Sequence, residues 1–359
     1  MTAMGFVCRL IAASLLALSS AAFAQQYAGK VLTMIVNYSP GGPTDIDARL
    51  VARHLPKYIQ GISGIVVRNV PGAAGNIGVN QLGESSERDR LNVGFFTWDP
   101  VAQLIQHESL RVRYNDLKFV VGFRSALMMY MRRDTPPGIN APADVMKATV
   151  VKVGALSPID TSTLRMRLAL DLLGVKHEII PGYKGTRDIE LAIRQGHVNA
   201  TFTSLPLWNA SVKPNLVDTG IVVPLFQYDY ERPDGTPGRN PILPDVPAFS
   251  EVFKQVKGQA EVPSGDRWQA MRLLTRLVDS MNRTVFMPPN APAAAVEEMR
   301  AAFEKLANDA EFIADYEKVV RSKPLFVIGA PGEVILSELG KVQPSFLSFL
   351  RGYIGAERK

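Results

Sequence analysis

The sequence predicts an α/β protein built as two lobes. Short apolar runs alternate with amphipathic helical patterns along most of the chain. A unit of strand, Ser-Pro-containing turn and helix begins at residue 31, and a unit of the same plan begins again at residue 150. The 359 residues are long for one hydrophobic core and comfortable for two. The two units share no long-range identity, so the repetition is one of plan only.

Residues 31–37 read as a buried strand. Ser39-Pro40-Gly41-Gly42-Pro43 then turns the chain into a helix over 44–57, where Ile46, Leu50, Val51 and Leu55 fall on one face of a 3.6-residue period. Strands at 65–70 and 91–96 flank a glycine-rich segment at 72–78. Two more, 119–123 and 127–131, lie on either side of a crossover between lobes. In the second unit, a strand at 150–155 leads through Ser157-Pro158-Ile159-Asp160-Thr161-Ser162 into a helix over 164–173, stopped at Gly174. A strand at 177–180, the turn Gly182-Tyr183-Lys184-Gly185, a helix over 186–195 ended by Gly196, and a strand at 198–203 complete it. Pro and Gly thicken over 232–247, which reads as a long loop or linker. Helices follow at 264–281, with Trp268, Met271, Leu274, Leu277 and Val278 on one side, and at 293–307, 333–339 and 345–353.

The N-terminus carries the order of a secretory signal. Arg9 supplies the charge, residues 10–18 the apolar run, and Ala22-Phe23-Ala24 the small-x-small cleavage site. The apolar run is shorter than the about 20 residues needed to span a bilayer. Cleavage after Ala24 would place Gln25 at the mature N-terminus in the periplasm, with no direct membrane insertion thereafter. Cys8 is the only cysteine and precedes the apolar run, so it is not a lipidation site, and the mature protein has neither thiol nor disulfide. Hydrophobic residues make up 47 % and charged residues 21 %, an ordinary globular composition. The net charge of +6 comes from scattered basic residues without aromatic interleaving, which does not support nucleic-acid binding.

The most informative segment is Ser39 to Asp45, between a buried strand and a helix N-terminus. Glycines let backbone approach a ligand closely, Pro43 suits a first helical position, and the free amides and helix dipole there favour an anion such as a carboxylate. Asp45 has three open roles: capping the helix, pairing with Arg49, or accepting a hydrogen bond from a ligand. The spacing is that of neither a dinucleotide fingerprint nor a phosphate loop, and the same holds for 72–78. In the second unit Ser157, Asp160, Thr161 and Ser162 occupy the matching turn, where N-capping and ligand contact are both open. Lys184 reads as a solvated charge. If the two units face each other, ligand lies between loops at the carboxyl ends of their strands. The expected contacts are Ser39, Gly41, Gly42, Thr44 and Asp45, with Thr97 from the third strand's end, and opposite them Ser157, Thr161, Tyr183 and Thr203. His54, His107, His177 and His197 show no metal-ligand or catalytic spacing, and no nucleophile elbow or zinc motif is present. The chain is therefore expected not to be an enzyme and to use no metal or cofactor.

Five ordered blocks resemble a known family, the Bug-type periplasmic receptors of tripartite tricarboxylate transporters. Residues 36–49 are similar to its "PFxPGGxxDxxAR", and residues 66–78 to "VVENRPGAGGxxG". Tyr183-Lys184-Gly185 through Phe202 resembles "PYKG…ALxxGxVDAxF", Pro244 to Glu251 resembles "PDVPTxxE", and Phe286 to Pro292 resembles "APAGTP". The resemblance implies a two-lobed, type II-like Venus-flytrap fold. It implies a small carboxylate held by backbone amides and ordered water in facing loops, rather than by a dedicated arginine, and membrane subunits of the transporter as partners. Departures are Arg68-Asn69-Val70 in place of Glu-Asn-Arg, the extra Gly182, Asn199 in place of an acid, and a longer 256–282 with an added helix. The expected organisation is a signal at 1–24, the first part of lobe one at 25–124, lobe two at 125–255, and a region at 256–359 that returns to lobe one and packs across both. The function expected is capture of a small carboxylate in the interlobe cleft for transport. A receptor presenting its closed form to a sensor kinase, and a secreted α/β enzyme acting on carboxylates, stand as alternatives.

Overall fold

The computed structural model describes residues 29–86, 92–232 and 234–355; the signal expected at 1–24 lies outside them. In chain order the strands are β1 (Val31–Val36), β2 (Gly64–Asn69), β3 (Asn92–Thr97), β4 (Lys118–Phe123), β5 (Leu127–Arg132), β6 (Val151–Gly154), β7 (His177–Ile180), β8 (Ala200–Ser204), β9 (Val222–Gln227), β10 (Tyr230–Glu231), β11 (Pro237–Gly238), β12 (Arg283–Met287) and β13 (Phe326–Ile328). The helices are α1 (Pro43–His54), α2 (Asn76–Gly83), α3 (Pro100–Leu104), α4 (Thr161–Leu173), α5 (Thr186–Gln195), α6 (Phe249–Lys257), α7 (Gly265–Ser280), α8 (Ala293–Ala307), α9 (Ala310–Val320), α10 (Ala330–Glu338) and α11 (Pro344–Gly355). Leu205–Leu207 is a single helical turn that runs into a π-helical segment, Trp208–Val217.

Two sheets organise these elements in the two-lobed, type II-like manner expected. The first has the order β13-β4-β12-β3-β1-β2, the second β7-β6-β8-β5-β9, and β10 and β11 form a separate hairpin. Both sheets contain the same arrangement. A first strand lies parallel between a second and a third, then comes one antiparallel strand, and then a fourth: β2-β1-β3-β12-β4 and β7-β6-β8-β5-β9. The repeated plan of the sequence is thus repeated in topology. Parallel strands covered by helices on both faces bury nearly every side chain, which is why β1 and β3 read as near-continuous apolar runs rather than alternations.

The chain passes from one sheet to the other through Arg124-Ser125-Ala126 and returns through Met281-Asn282. The two passages are tied where the Ser125 N–H donates to the Asp279 carbonyl at 3.4 Å. Helix α7, the added helix of the sequence, packs along α4, and α11 packs on α7. Strands β9, β12 and β13 and helices α2, α6 and α9 were not predicted by pattern. β9 contains Pro224, a residue that argues against a strand interior. The sheet accommodates it at a register shift, where Tyr130 pairs with Pro224. β12 begins with the polar pair Arg283-Thr284, yet all five of its residues are buried. Among the described residues no helix is long and apolar enough to cross a membrane.

Candidate functional site

The carboxyl ends of β1 and β3 are held together by Asn37. Its Nδ2 donates to the Thr97 carbonyl at 2.9 Å, and its Oδ1 accepts from the Thr97 N–H at 3.1 Å. The Ser39–Pro43 loop follows. Gly41 has φ +75°, the left-handed region that favours glycine. Asp45 braces this loop with both oxygens. Oδ2 accepts from the Gly41 N–H at 2.9 Å and from Arg49 Nε at 2.8 Å, while Oδ1 accepts from Asn69 Nδ2 at 3.0 Å. Of its protein-side roles, pairing with Arg49 is realised and capping α1 is not. Gly42 is the N-cap of α1, Pro43 follows, and no side chain caps the helix, so its first amides have no side-chain partner from a cap. The Thr44 and Thr97 hydroxyls meet at 2.6 Å.

On the opposite side, Asp160 caps α4 by accepting from the Ser162 and Thr163 N–H groups at 3.1 and 3.0 Å. Ser157 Oγ accepts from the Ile159 and Asp160 N–H groups, so it shapes the turn, and it lines a groove of about 360 Å³ with Asn76, Asp99 and His107. Thr161 bridges the loops of the two sheets: its hydroxyl and its N–H (3.2 Å) both donate to Asp99 Oδ1, which also accepts from the Val101 N–H. Ser39 makes a second bridge. Its N–H donates to the Lys184 carbonyl at 3.2 Å and its hydroxyl to Asp188 Oδ2 at 2.8 Å.

Between these bridges lies a cavity of about 30 Å³, room for one or two water molecules. Gly42, Pro43, Thr44 and Thr97 line it from the first sheet's loops, and Leu156, Ser162, Thr186, Phe202 and Ser204 from the second's. Asn282 and Arg283 close it at the return passage. The bridges from Ser39 and Thr161 thus draw the loops of the two sheets together around this space.

No family model matches this chain. Solved structures do. The periplasmic binding protein BugD superposes with a TM-score of 0.66 at 19 % identity, over 92 % of this chain and 99 % of its own. The chain carries the fold of the Bug-type periplasmic receptors. MatC from Rhodopseudomonas palustris, solved with bound malate, gives a TM-score of 0.61 at 17 % identity over 90 % of this chain and 99 % of its own. Among curated sequences, a UPF0065 protein in the TAR-I ttuE-ttuC' intergenic region of Agrobacterium vitis is 27 % identical over 233 residues, which cover 63 % of this chain. The matched region spans 62 % of that relative's length. The resemblance to Bug-type receptors carried by the five sequence blocks therefore extends to the fold.

Within this Bug-type frame, Gly42, Thr44 and Thr97 line the cavity, and the other expected contacts do not. Gly41 is exposed beside the Arg187 side chain. Ser39 and Thr161 hold the two sets of loops together, Asp45 braces its own loop, and Ser157 faces the neighbouring groove. Tyr183 is half-buried outside the cavity lining. Thr203 is fully buried on the face of β8 opposite to its neighbours Phe202 and Ser204, which do line the cavity. The strand period of two places Thr203 and Ser204 on opposite faces, so this one-residue difference moves the side chain across the sheet. Ser162, one of the turn residues for which ligand contact was open, also lines the cavity, whereas Thr186, Ser204, Asn282 and Arg283 were not anticipated. Of the histidines, His54 pairs with Asp315 at 2.9 Å and lies edge-on to Phe312, a packing role.

Burial and the nearby Asp160 charge push the Asp99 carboxyl up to about 7, against the hydrogen bonds from Thr161 and Val101. Because this acid is raised in the folded protein, its stabilising contribution is complete below its ordinary range near 3.8 and is lost as pH rises through 7. This contribution to melting temperature is expected to fall between pH 4 and 7 and to level off above, and Asp99→Asn to flatten that fall; an equal fall in the variant would show that Asp99 is not its source.

Proposed function

We propose that this chain is an extracytoplasmic solute-binding protein that captures a small carboxylate between its lobes and presents the closed form to the membrane subunits of a tripartite tricarboxylate-type transporter. In this reading the chain is exported, cleaved after Ala24, and works in the periplasm. Residues 25–124 and 125–255 form the bodies of the two lobes, and 256–359 returns to the first and packs across both. One observation carries the reading: Gly42 at an uncapped helix N-terminus and the hydroxyl-bearing residues Thr44, Thr97, Ser162 and Ser204 line one cavity between facing loops. Amides and a helix dipole of this kind favour a carboxylate. MatC, which shares the fold, holds malate.

A thermal-shift screen against carboxylic acids tests this. Binding to the folded state alone at a hundredfold excess over Kd contributes about 2.7 kcal/mol, a rise of several degrees for a chain of this size. Gly42→Val is expected to erase the shift while leaving the unliganded melting temperature unchanged, since a Cβ at Gly42 meets only the Ser39 carbonyl, at 3.5 Å. No shift with any acid, and no acid released from the purified protein on denaturation, would overturn the reading.

A further inference from the structure

Three buried polar atoms of cavity-lining residues lack a hydrogen-bond partner: Arg283 Nε, Asn282 Oδ1 and Thr186 Oγ1. Arg283 is 2 % exposed. It is the first residue of β12, opposite Thr97 on β3 and Phe123 on β4, directly after the return passage between the sheets. One of its terminal nitrogens donates to Ser204 Oγ, on the other sheet. Its Nε lies 3.8 Å from Asp47 Oδ2, near enough to pair charges but without a hydrogen bond. A buried donor left unpaired is unfavourable, and a guanidinium fork matches a carboxylate in shape and charge.

We propose, building on the receptor reading above, that Arg283 is the charged anchor of the bound carboxylate and that Asp47 takes up a proton from solvent as this anion binds. Asp47 is 2 % exposed and one of its oxygens has no partner. With Arg283 charged and Asp47 ionised, the buried pair is neutral; a carboxylate added to it leaves one uncompensated negative charge. Protonating Asp47 restores neutrality. Burial already raises Asp47 to about 6, with Arg283 and a hydrogen bond from Tyr316 opposing the rise. Arg283 on β12 and Tyr316 on α9 are the groups acting on Asp47; Tyr38 acts on Arg283, and Asp99 and Asp160 act on Tyr38. Segment 205–207 and β3, which also pack on α1, bring it no charged side chain; β2 brings the exposed Arg68, the turn after α1 brings Lys57, paired with Asp309, and α9 brings Asp315, paired with Arg53 and His54 in the last turn of α1. This anchor departs from the amide-and-water mode that the family resemblance implies.

The test uses the exported chain purified from the periplasm and titrated calorimetrically with acetate, succinate, malate, adipate and benzoate, at pH 6 and 8 and in two buffers of different ionisation enthalpy. Wild-type binding is expected to be on the order of tenfold tighter at pH 6 than at pH 8, with net proton uptake. Asp47→Asn should abolish the uptake and bind more tightly at pH 8. Arg283→Gln should weaken binding roughly 10- to 100-fold, and Arg283→Lys less. Wild-type affinity unchanged between pH 6 and 8, or Arg283→Gln binding as wild type does, overturns the inference and leaves the receptor reading standing. If Arg283→Gln does not fold, the wild-type pH dependence and Asp47→Asn decide. An acid released from the purified protein on denaturation is titrated in the same way; if none of these acids binds the wild type and none is released, the inference falls together with the receptor reading.

Discussion

Gly185→Val is expected to remove ligand binding while leaving the protein folded. Gly185 is the N-cap of α5 and has an extended backbone, φ −177°, which any residue adopts. Its constraint is space. A Cβ there would lie 2.3 Å from Ser39 Oγ and 3.3 Å from Ser39 N, across the gap between the two sets of loops. Ser39 cannot turn aside freely, because its N–H is bonded to Lys184 and its hydroxyl to Asp188. A valine side chain therefore holds the loops apart and opposes closure, and overpacking of this kind is unfavourable by about 1–3 kcal/mol. Affinity should fall about 10- to 100-fold. Circular dichroism and the unliganded melting temperature should stay near wild type, and added acid should no longer shrink the radius of gyration. Normal affinity in this variant would mean that the Ser39–Gly185 contact is not part of the bound state.

The largest loss of stability is expected from Arg165→Ala. Arg165 on α4 is fully buried, bonded to Asp279 on α7 at 3.1 and 3.4 Å, with its guanidinium 3.9 Å from the centre of the Tyr228 ring. Removing it leaves the half-buried Asp279 carboxylate without its counter-ion, a change of about 3 kcal/mol, the low end for a buried pair. Burial holds Asp279 up at about 6 even with Arg165 lowering it, so the variant's deficit should shrink at pH 5, where Asp279 takes a proton. The double variant Arg165→Met, Asp279→Leu is expected to recover most of the loss, because an apolar pair removes both buried charges. Urea unfolding of the three variants at pH 5 and 8 measures this. A deficit under 1 kcal/mol in Arg165→Ala would show that the pair does not secure α7 to α4.

How much was legible from sequence depended on what kind of signal each feature leaves. The first loop was legible because Pro-Gly-Gly-Pro between an apolar run and a helical period has few conformations open to it, and Gly42 and Thr44 indeed line the cavity. Thr97 was legible as the end of a buried strand. Ser162 was legible only as one of four turn residues, and Ser204 was missed by one position, where direction along the strand decides which neighbour points inward. Asp45 was expected as a ligand contact although capping and pairing with Arg49 suit the same local sequence, and the positions of Gly41, Arg49 and Asn69 show it bracing its own loop. Arg283 left no signal at all. A strand opening Arg-Thr reads as solvated, and its burial comes from insertion between β3 and β4, distant partners that no local pattern encodes. β9 was hidden by Pro224 in the same way, since its bulge against β5 is a tertiary accommodation.

The most direct measurement is a crystal structure of the chain with the acid that gives the largest thermal shift. The account predicts one carboxylate between the two sets of loops, within hydrogen-bonding distance of the α1 amides near Gly42, of Thr44 or Thr97, and of Arg283, with Ser39 still bonded to Lys184 and Asp188. An acid bound elsewhere, or bound while the loops stand apart and Arg283 remains unpaired, would contradict it.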